Sequence, residues 1–329
     1  MSIQEELAAR GIELANGQQL LDCDKNGRVT MDAALSTVAN TTIPNFFTTY
    51  IHPGVIEVVA AKRTADVLFP RLKCGDFEDD QYTYAQSEPI GQSTAYSDFG
   101  HGTTSDVNDT WETREIYVHQ TFIQVGDREM KRAGRALIDL MAQKQRAAAE
   151  TLAIMQNKCY WSGVEGRKIY GILNDPSLNA AINATSQWNK QDALAIYNDV
   201  LKMFKEIVEK SGGHVDVRSR FCLAVPPAVY MDLMKVTTLG VSPTMELLTK
   251  NFPNIRIESC PELVVGGVNK AMLFAEDIAG QAAGECAMIV ETRAGQVIPN
   301  HSSISQKWVA ANGGFKLNLP YAICMMTGV

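Results

Sequence analysis

From Cys74 to Glu112 the chain carries nine acidic residues and neither lysine nor arginine. It then enters a proline-free, helix-patterned stretch of 35 residues, Asp127 to Trp161. A segment so rich in Gly, Ser, Thr, Asp and Tyr cannot bury enough apolar surface to form a core of its own. A continuous helix of that length spans about 50 Å at ~1.5 Å per residue, more than a small domain needs. Together the two features predict a subunit built to reach its neighbours, a shell or lattice protein rather than an enzyme.

The remaining composition is that of an ordinary folded chain. With 329 residues, 46% apolar and 20% charged, one large or two modest domains are expected. A net charge of −7 argues against a surface that grips nucleic acid, which relies on clustered Lys and Arg displacing phosphate counterions. The opening MSIQEELAARGIEL lacks the basic and apolar regions of a signal peptide. No window approaches the ~18 apolar residues of a membrane span, so no membrane association is expected. Seven scattered cysteines without a CxxC pair fit reduced, mostly buried thiols.

Periodicity places the elements. Residues 2–16 read as a short helix opened by a Ser2-x-x-Glu5 capping box, 17–45 as an irregular arm, and Gly54 to Leu68 as a helix. In the acidic segment, Gln81–Ala85 and Thr113–Val125 alternate as strands, predicting the two limbs of a projecting β-ribbon with a long tip. Gly and turn residues mark that tip at Gly91, Gly100 and Gly102. In the long helix, Met130, Leu137, Met141, Ala148, Leu152 and Met155 form an apolar stripe. Asn189 is read as the cap of a helix from Lys190 to Lys210, with Ile196, Val200, Phe204 and Ile207 inward. Further helices are expected after Pro226-Pro227, to about Val236, and after Pro243. Strands are expected at Phe221–Val225, Asn254–Ser259, Ala271–Ala275, Cys286–Glu291, Ile304–Ala310 and Phe315–Met326, the last broken at Pro320. Gly266-Gly267 and Gly313-Gly314 read as turns. The order suits an α+β fold and not a doubly wound sheet.

Chemical motifs are sparse. Asp22, Asp24, Asn26 and Gly27 match the first half of a calcium-binding EF loop, with Asp32 nearby, but position 12 is Ala33 where a bidentate Glu should close the shell. The other reading is an Asp/Asn/Gly turn within the arm. The five histidines lack metal-ligand spacing, and no GxSxG elbow, Walker A loop or GxGxxG occurs, so neither cofactor nor catalytic residue is expected. The long helix is basic over its first two-thirds, which reads as a solvated face, a DNA contact, or the counterpart of the acidic segment. The third is favoured, because one chain holds both halves of a repeating contact. Its expected interface is Asp76, Glu78, Asp79, Asp80, Asp98, Asp106 and Asp109 against Arg128, Lys131, Arg132 and Arg135.

Local sequence now adds a resemblance. Glu112-Thr-Arg-Glu-Ile-Tyr-Val-His-Gln-Thr-Phe122, Tyr160-Trp-Ser-Gly-Val-Glu-Gly166 and Tyr170-Gly-Ile-Leu-Asn-Asp-Pro-Ser-Leu178 resemble a family of phage and prophage major capsid proteins of the Hong Kong 97 type. Trp188, Asn251-Phe-Pro-Asn-Ile-Arg-Ile257 and Pro261-Glu-Leu263 extend the resemblance over about residues 40–329.

The resemblance implies an N-terminal arm (1–73), an extended loop (74–125), a peripheral domain with a spine helix (126–189 plus 293–329) and an axial domain (190–292). It implies self-assembly into pentamers and hexamers of an icosahedral shell around double-stranded DNA, in the host cytoplasm. Portal, separate scaffolding and decoration proteins would be the partners. The type member of this fold welds its subunits through a lysine in the extended loop. Residues 74–125 hold no lysine, so a non-covalent shell is expected. Two rivals remain at this level: an encapsulin-like compartment shell, and a cytoplasmic oligomeric enzyme with an unrecognised site.

Overall fold

The computed structural model describes residues 63–136, 138–236 and 243–329. The short helix Ala65–Leu68 (α1) leads into β1 (Arg71–Lys73), then the paired strands β2 (Gln81–Ile90) and β3 (Asp106–Glu115). Next come β4 (Tyr117–Gly126) and two helices, α2 (Asp127–Arg135) and α3 (Leu140–Ser162). The following elements are β5 (Ile182–Asn183), α4 (Ala193–Lys210), β6 (Phe221–Val225), α5 (Pro227–Asp232) and α6 (Thr244–Asn251). The chain ends with β7 (Ile255–Ser259), β8 (Val264–Val265), β9 (Val268–Ala275), β10 (Asp277–Ile278), β11 (Gln281–Ala282), β12 (Gly284–Pro299), β13 (Ser303–Leu317) and β14 (Ile323–Thr327). The expected helix 2–16, arm and EF-like loop (Asp22, Asp24, Asn26, Asp32) lie outside the described residues, as do most of Gly54–Leu68 and Leu137.

One sheet, in the order β5-β14-β9-β6-β7 with β8 against β9, holds the main core. Its centre is buried on both faces, so β6 (FCLAV) reads as an unbroken apolar run in which every residue is covered. Helix α4 closes one face. Ile196, Val200, Met203, Phe204 and Ile207 recur at helical spacing and are buried, each contributing about 1.5–3 kcal/mol over exposure. Its start differs from expectation, since Trp188–Lys190 forms a separate 3-10 turn and Asp192 takes the N-cap position.

Asp199 on α4 holds the preceding loop. Its carboxylate accepts from Thr185 Oγ1 (2.7 Å), Lys202 Nζ (2.9 Å) and Gln191 Nε2 (3.2 Å). Burial alone would raise this carboxyl, but the three donors outweigh it and hold it below the usual range. A depressed carboxyl adds stability that is full at neutral pH and lost as pH falls below about 4 through its folded value. Asp199→Asn is therefore expected to cost about 2–3 kcal/mol at pH 7 in urea titrations, with the gap to wild type narrowing below about pH 4. An identical gap at both pH values would count against a charge-based role.

The second sheet runs β1-β12-β13-β4 and carries α3 on one face. Along β4, His119, Ile123 and Val125 face inward while Val118 and Phe122 are exposed. His119 donates from Nε2 to the Leu152 carbonyl (3.4 Å), and burial pushes its ring below the ordinary histidine range. Gly313-Gly314 are not a turn. They lie inside β13, where Ala287 opposes Gly314 and Met288 opposes Asn312, so Gly313 is the extra residue of a bulge. Gly266-Gly267, by contrast, do close the β8–β9 turn with positive φ at both.

Two larger expectations need correction. The helix of 35 residues is two helices, because the Asp139 side chain accepts from the Ala142 amide (3.1 Å) and so caps a fresh start. The 23 residues of α3 span about 35 Å. Of the expected stripe, Ala148 and Leu152 are buried but Met130 is exposed. The ribbon's second limb, moreover, is not Thr113–Val125. It is β3, and the chain changes sheets at Ile116, which is buried and donates its amide to the Asp80 carbonyl (2.9 Å). A period-2 pattern cannot reveal that one run of alternating residues serves two sheets.

Candidate assembly interface

Strands β2 and β3 pair over ten positions, Gln81 with Glu115 through Ile90 with Asp106, giving a ribbon about 33 Å long. Residues 85–111 are exposed throughout. The free strand edges and tip therefore find no cover in the described part of their own subunit.

The root is built differently. Tyr82 packs with Ile116, Ala287, Ile289 and Ala311, and its hydroxyl donates to the Gly313 carbonyl (3.1 Å). A side chain on Gly313 would run into the Tyr82 ring, so the β13 bulge and this tyrosine require each other. Beside them lies Arg114, 4% exposed. Its Nη2 donates to Glu112 (3.0 Å), Asp175 (3.3 Å) and the Tyr84 hydroxyl (3.3 Å), while the guanidinium stacks 4.4 Å from the Tyr170 ring centre. Tyr84 in turn donates to Glu112 (2.6 Å). Burial pushes the Asp175 carboxyl above its ordinary range, an effect that the Ser177 amide and Arg114 only partly oppose.

Glu112, Arg114, Tyr170 and Asp175 fall within two of the motifs quoted above, but those motifs assign them no role as a clamp. One signal was there to read, since Arg114 is the only Lys or Arg between Cys74 and Val125. A single cation among acids, next to an alternating apolar run, is placed to neutralise a buried carboxylate.

The segment that receives the ribbon is Tyr170–Leu178. Asn174 accepts the Gly171 amide (2.7 Å) and donates to the Ser162 carbonyl (2.8 Å), tying the segment to the end of α3. Gly171 packs so closely on Trp161 that a Cβ would sit 2.4 Å from its carbonyl carbon. Each residue of the Tyr-Gly-Ile-Leu-Asn-Asp motif thus has a reason in packing or hydrogen bonding: Ile172 is fully buried and Leu173 donates its amide to the Trp161 carbonyl (3.0 Å).

The expected interface residues fall in several places. Asp76, Glu78, Asp79 and Asp80 are exposed on the loop before β2, where Lys73 pairs with Asp76 (2.7 Å) and Asp79 accepts the Asp76 amide (2.8 Å). Asp98 is at the tip, and Asp106 and Asp109 are exposed on the outer part of β3, with Ser87 donating to Asp109. Arg128, Lys131, Arg132 and Arg135 are exposed along α2 and form no ion pair among the described residues. Glu129, between them, is held by Lys144 of α3 (2.9 Å). No described ion pair joins the ribbon acids to the α2 cations within the subunit.

A mixed fold whose ribbon leaves the body, followed by a strand and a long helix, is that of a tailed-phage capsid subunit, the Hong Kong 97-type fold. Solved structures agree on the fold. The capsid of Myoviridae phage XM1 matches with a TM-score of 0.75 at 13% identity, over 88% of this chain and 100% of that one. A chain of Mycobacterium phage Che8 matches at 0.57 and 15% identity, over 87% and 97%. The virus-like particle from Pyrococcus furiosus matches at 0.51 and 17%, over 79% and 90%. No match was found among curated proteins. The family described as Pa193 gp26 major capsid protein matches residues 34–328, and the chain belongs to it. It is a major capsid protein of a tailed phage, and its family and fold are those of structural proteins rather than enzymes.

Proposed function

We propose that residues 74–125 are the loop by which each copy holds the next, and that α2 offers the cationic surface on which that loop rests. The observation that carries this reading is the pairing of two uncovered features: a ribbon exposed throughout residues 85–111, and four cations that form no ion pair among the described residues. Opposite charge would steer approach and fix register more than it would add affinity. Residues 1–73 then serve as the arm, 126–189 with 293–329 as the peripheral domain, and 190–292 as the axial domain at five- and six-fold axes. Pentamers and hexamers would close around double-stranded DNA in the host cytoplasm, with scaffolding, portal and decoration proteins as separate partners. A net charge of −7 suits a lining that must release DNA. Without a loop lysine, the shell would be held by charge, packing and strand edges alone.

Reversing Arg132→Glu and Arg135→Glu together is expected to leave a folded subunit, with unchanged circular dichroism, that no longer closes into shells under electron microscopy. Uniform shells from the double variant would sink the α2 contact. A ladder of covalent multimers from wild-type particles on a denaturing gel would sink the non-covalent one.

A further inference from the structure

We infer that the tip of the ribbon is an aromatic plug, and that its socket is an apolar groove at the far end of α3 on a neighbouring copy. The inference rests on the reading of residues 74–125 as the intersubunit loop, and it names the place where that loop ends.

The plug is visible in exposure. Tyr96 is 91% and Phe99 100% exposed, with Asp98 between them. The Gly100 amide bonds the Ser97 carbonyl (3.4 Å), so a tight turn sets Asp98 and Phe99 at its apex. Two aromatic rings held fully in water at the end of a charged ribbon gain nothing inside the monomer, and they gain most by burial against another surface.

The socket has the matching chemistry. Ile154 and Trp161 of α3, Leu173, and Val264 and Val265 of the β8–β9 hairpin line a groove of about 690 Å³. That volume lies in the range of about 300–1,000 Å³ typical of sites that take organic ligands. Ile154 and Val264 are nearly half exposed, at 47% and 45%, although both are aliphatic. Lys158 and Lys270 line it and form no ion pair among the described residues, while the Glu262 carboxylate in the same lining is held by Thr64 Oγ1 (2.7 Å) and Asn157 Nδ2 (2.6 Å), so free positive charge remains for the carboxylate of Asp98.

The occupant is a second copy because Tyr96 and Phe99 are left uncovered by the described residues of their own subunit, while the groove's cations match the charge of the tip. The reach is adequate too. Glu129 and Lys144 fix α2 at the start of α3, and Lys158 lies fourteen residues further along that helix, about 21 Å away. A ribbon of about 33 Å therefore covers both surfaces of one neighbour. A plug on one face and a socket on another make a head-to-tail contact, the kind that closes into rings.

The test uses two full-length single variants, Phe99→Cys and Val265→Cys, expressed together, assembled and mildly oxidised. A disulfide-linked dimer is expected on a non-reducing gel from the mixture and from neither variant alone. Micrographs of the same sample score shell formation separately. Shells without the dimer, or a dimer from either variant alone, would overturn the docking while leaving the capsid loop in place. Should the mixture form no shells, a fluorescein-labelled peptide of residues 91–105 is titrated onto unassembled full-length subunits by fluorescence anisotropy. Saturable binding, weakened at least tenfold by Val265→Asp and by Lys270→Glu, is expected; no saturation, or equal binding by the variants, would overturn it.

Discussion

Replacing Arg114 with methionine is expected to destabilise the subunit by about 3–5 kcal/mol, because it strands the Asp175 carboxylate in the interior without its cation. The loss should concentrate at the ribbon root. Amide exchange in β2 and β3 should quicken well beyond that in β6, whose residues are all buried in the main core. Removing both charges gives the contrast that identifies the cause. Arg114→Met with Asp175→Leu should recover more than half of the loss, since no unpaired ion is then left inside. Urea midpoints for the single and double variants, read at constant slope, measure this directly. A single variant within 1 kcal/mol of wild type would mean that Tyr82 and its cluster hold the root without the clamp.

The second large effect is expected from one added methyl group. Gly171→Ala would place a Cβ 2.4 Å from the Trp161 carbonyl carbon, 2.5 Å from its oxygen and 2.6 Å from the Gly163 nitrogen. These are backbone atoms on a segment fixed by the Ile172 amide to Tyr160 (2.8 Å) and the Leu173 amide to Trp161 (3.0 Å), so nothing nearby can swing aside. A cost of about 3 kcal/mol or more follows from overpacking at such a site. Gly134→Ala is the matched control. It lies in α2 with nothing within 4 Å of the new atom and should be neutral or stabilising by about 0.5–1 kcal/mol. Equal thermal midpoints for the two variants would refute the close-packing account.

Much of this architecture was legible from residue pattern. β6 and β7 follow from apolar runs and alternation, α4 from its 3.6-residue period, and the break at Pro320 from a missing donor. The projecting ribbon was legible from what its sequence lacks, namely apolar residues enough for a core. The rest was hidden for identifiable reasons. The joint at Ile116 leaves no mark, because alternation continues across it while the hydrogen-bond partner changes. The break between α2 and α3 rests on one capping aspartate, Asp139, amid residues that favour helix. The clamp needed a contact between positions 61 apart, which local pattern does not encode. The exposure of Tyr96 and Phe99 depends on where the fold places the tip, which local pattern does not encode.

The change of sheet at Ile116 has a mechanical consequence. One residue separates β3 from β4, and β4 passes into α2 with none between Gly126 and Asp127. There is no slack at either joint. A pull on the ribbon would be delivered as torque to β4 and, through it, to α2. On the proposed contacts the subunit would act as a lever, with its fulcrum at the buried Ile116 and its two arms loaded by different neighbours.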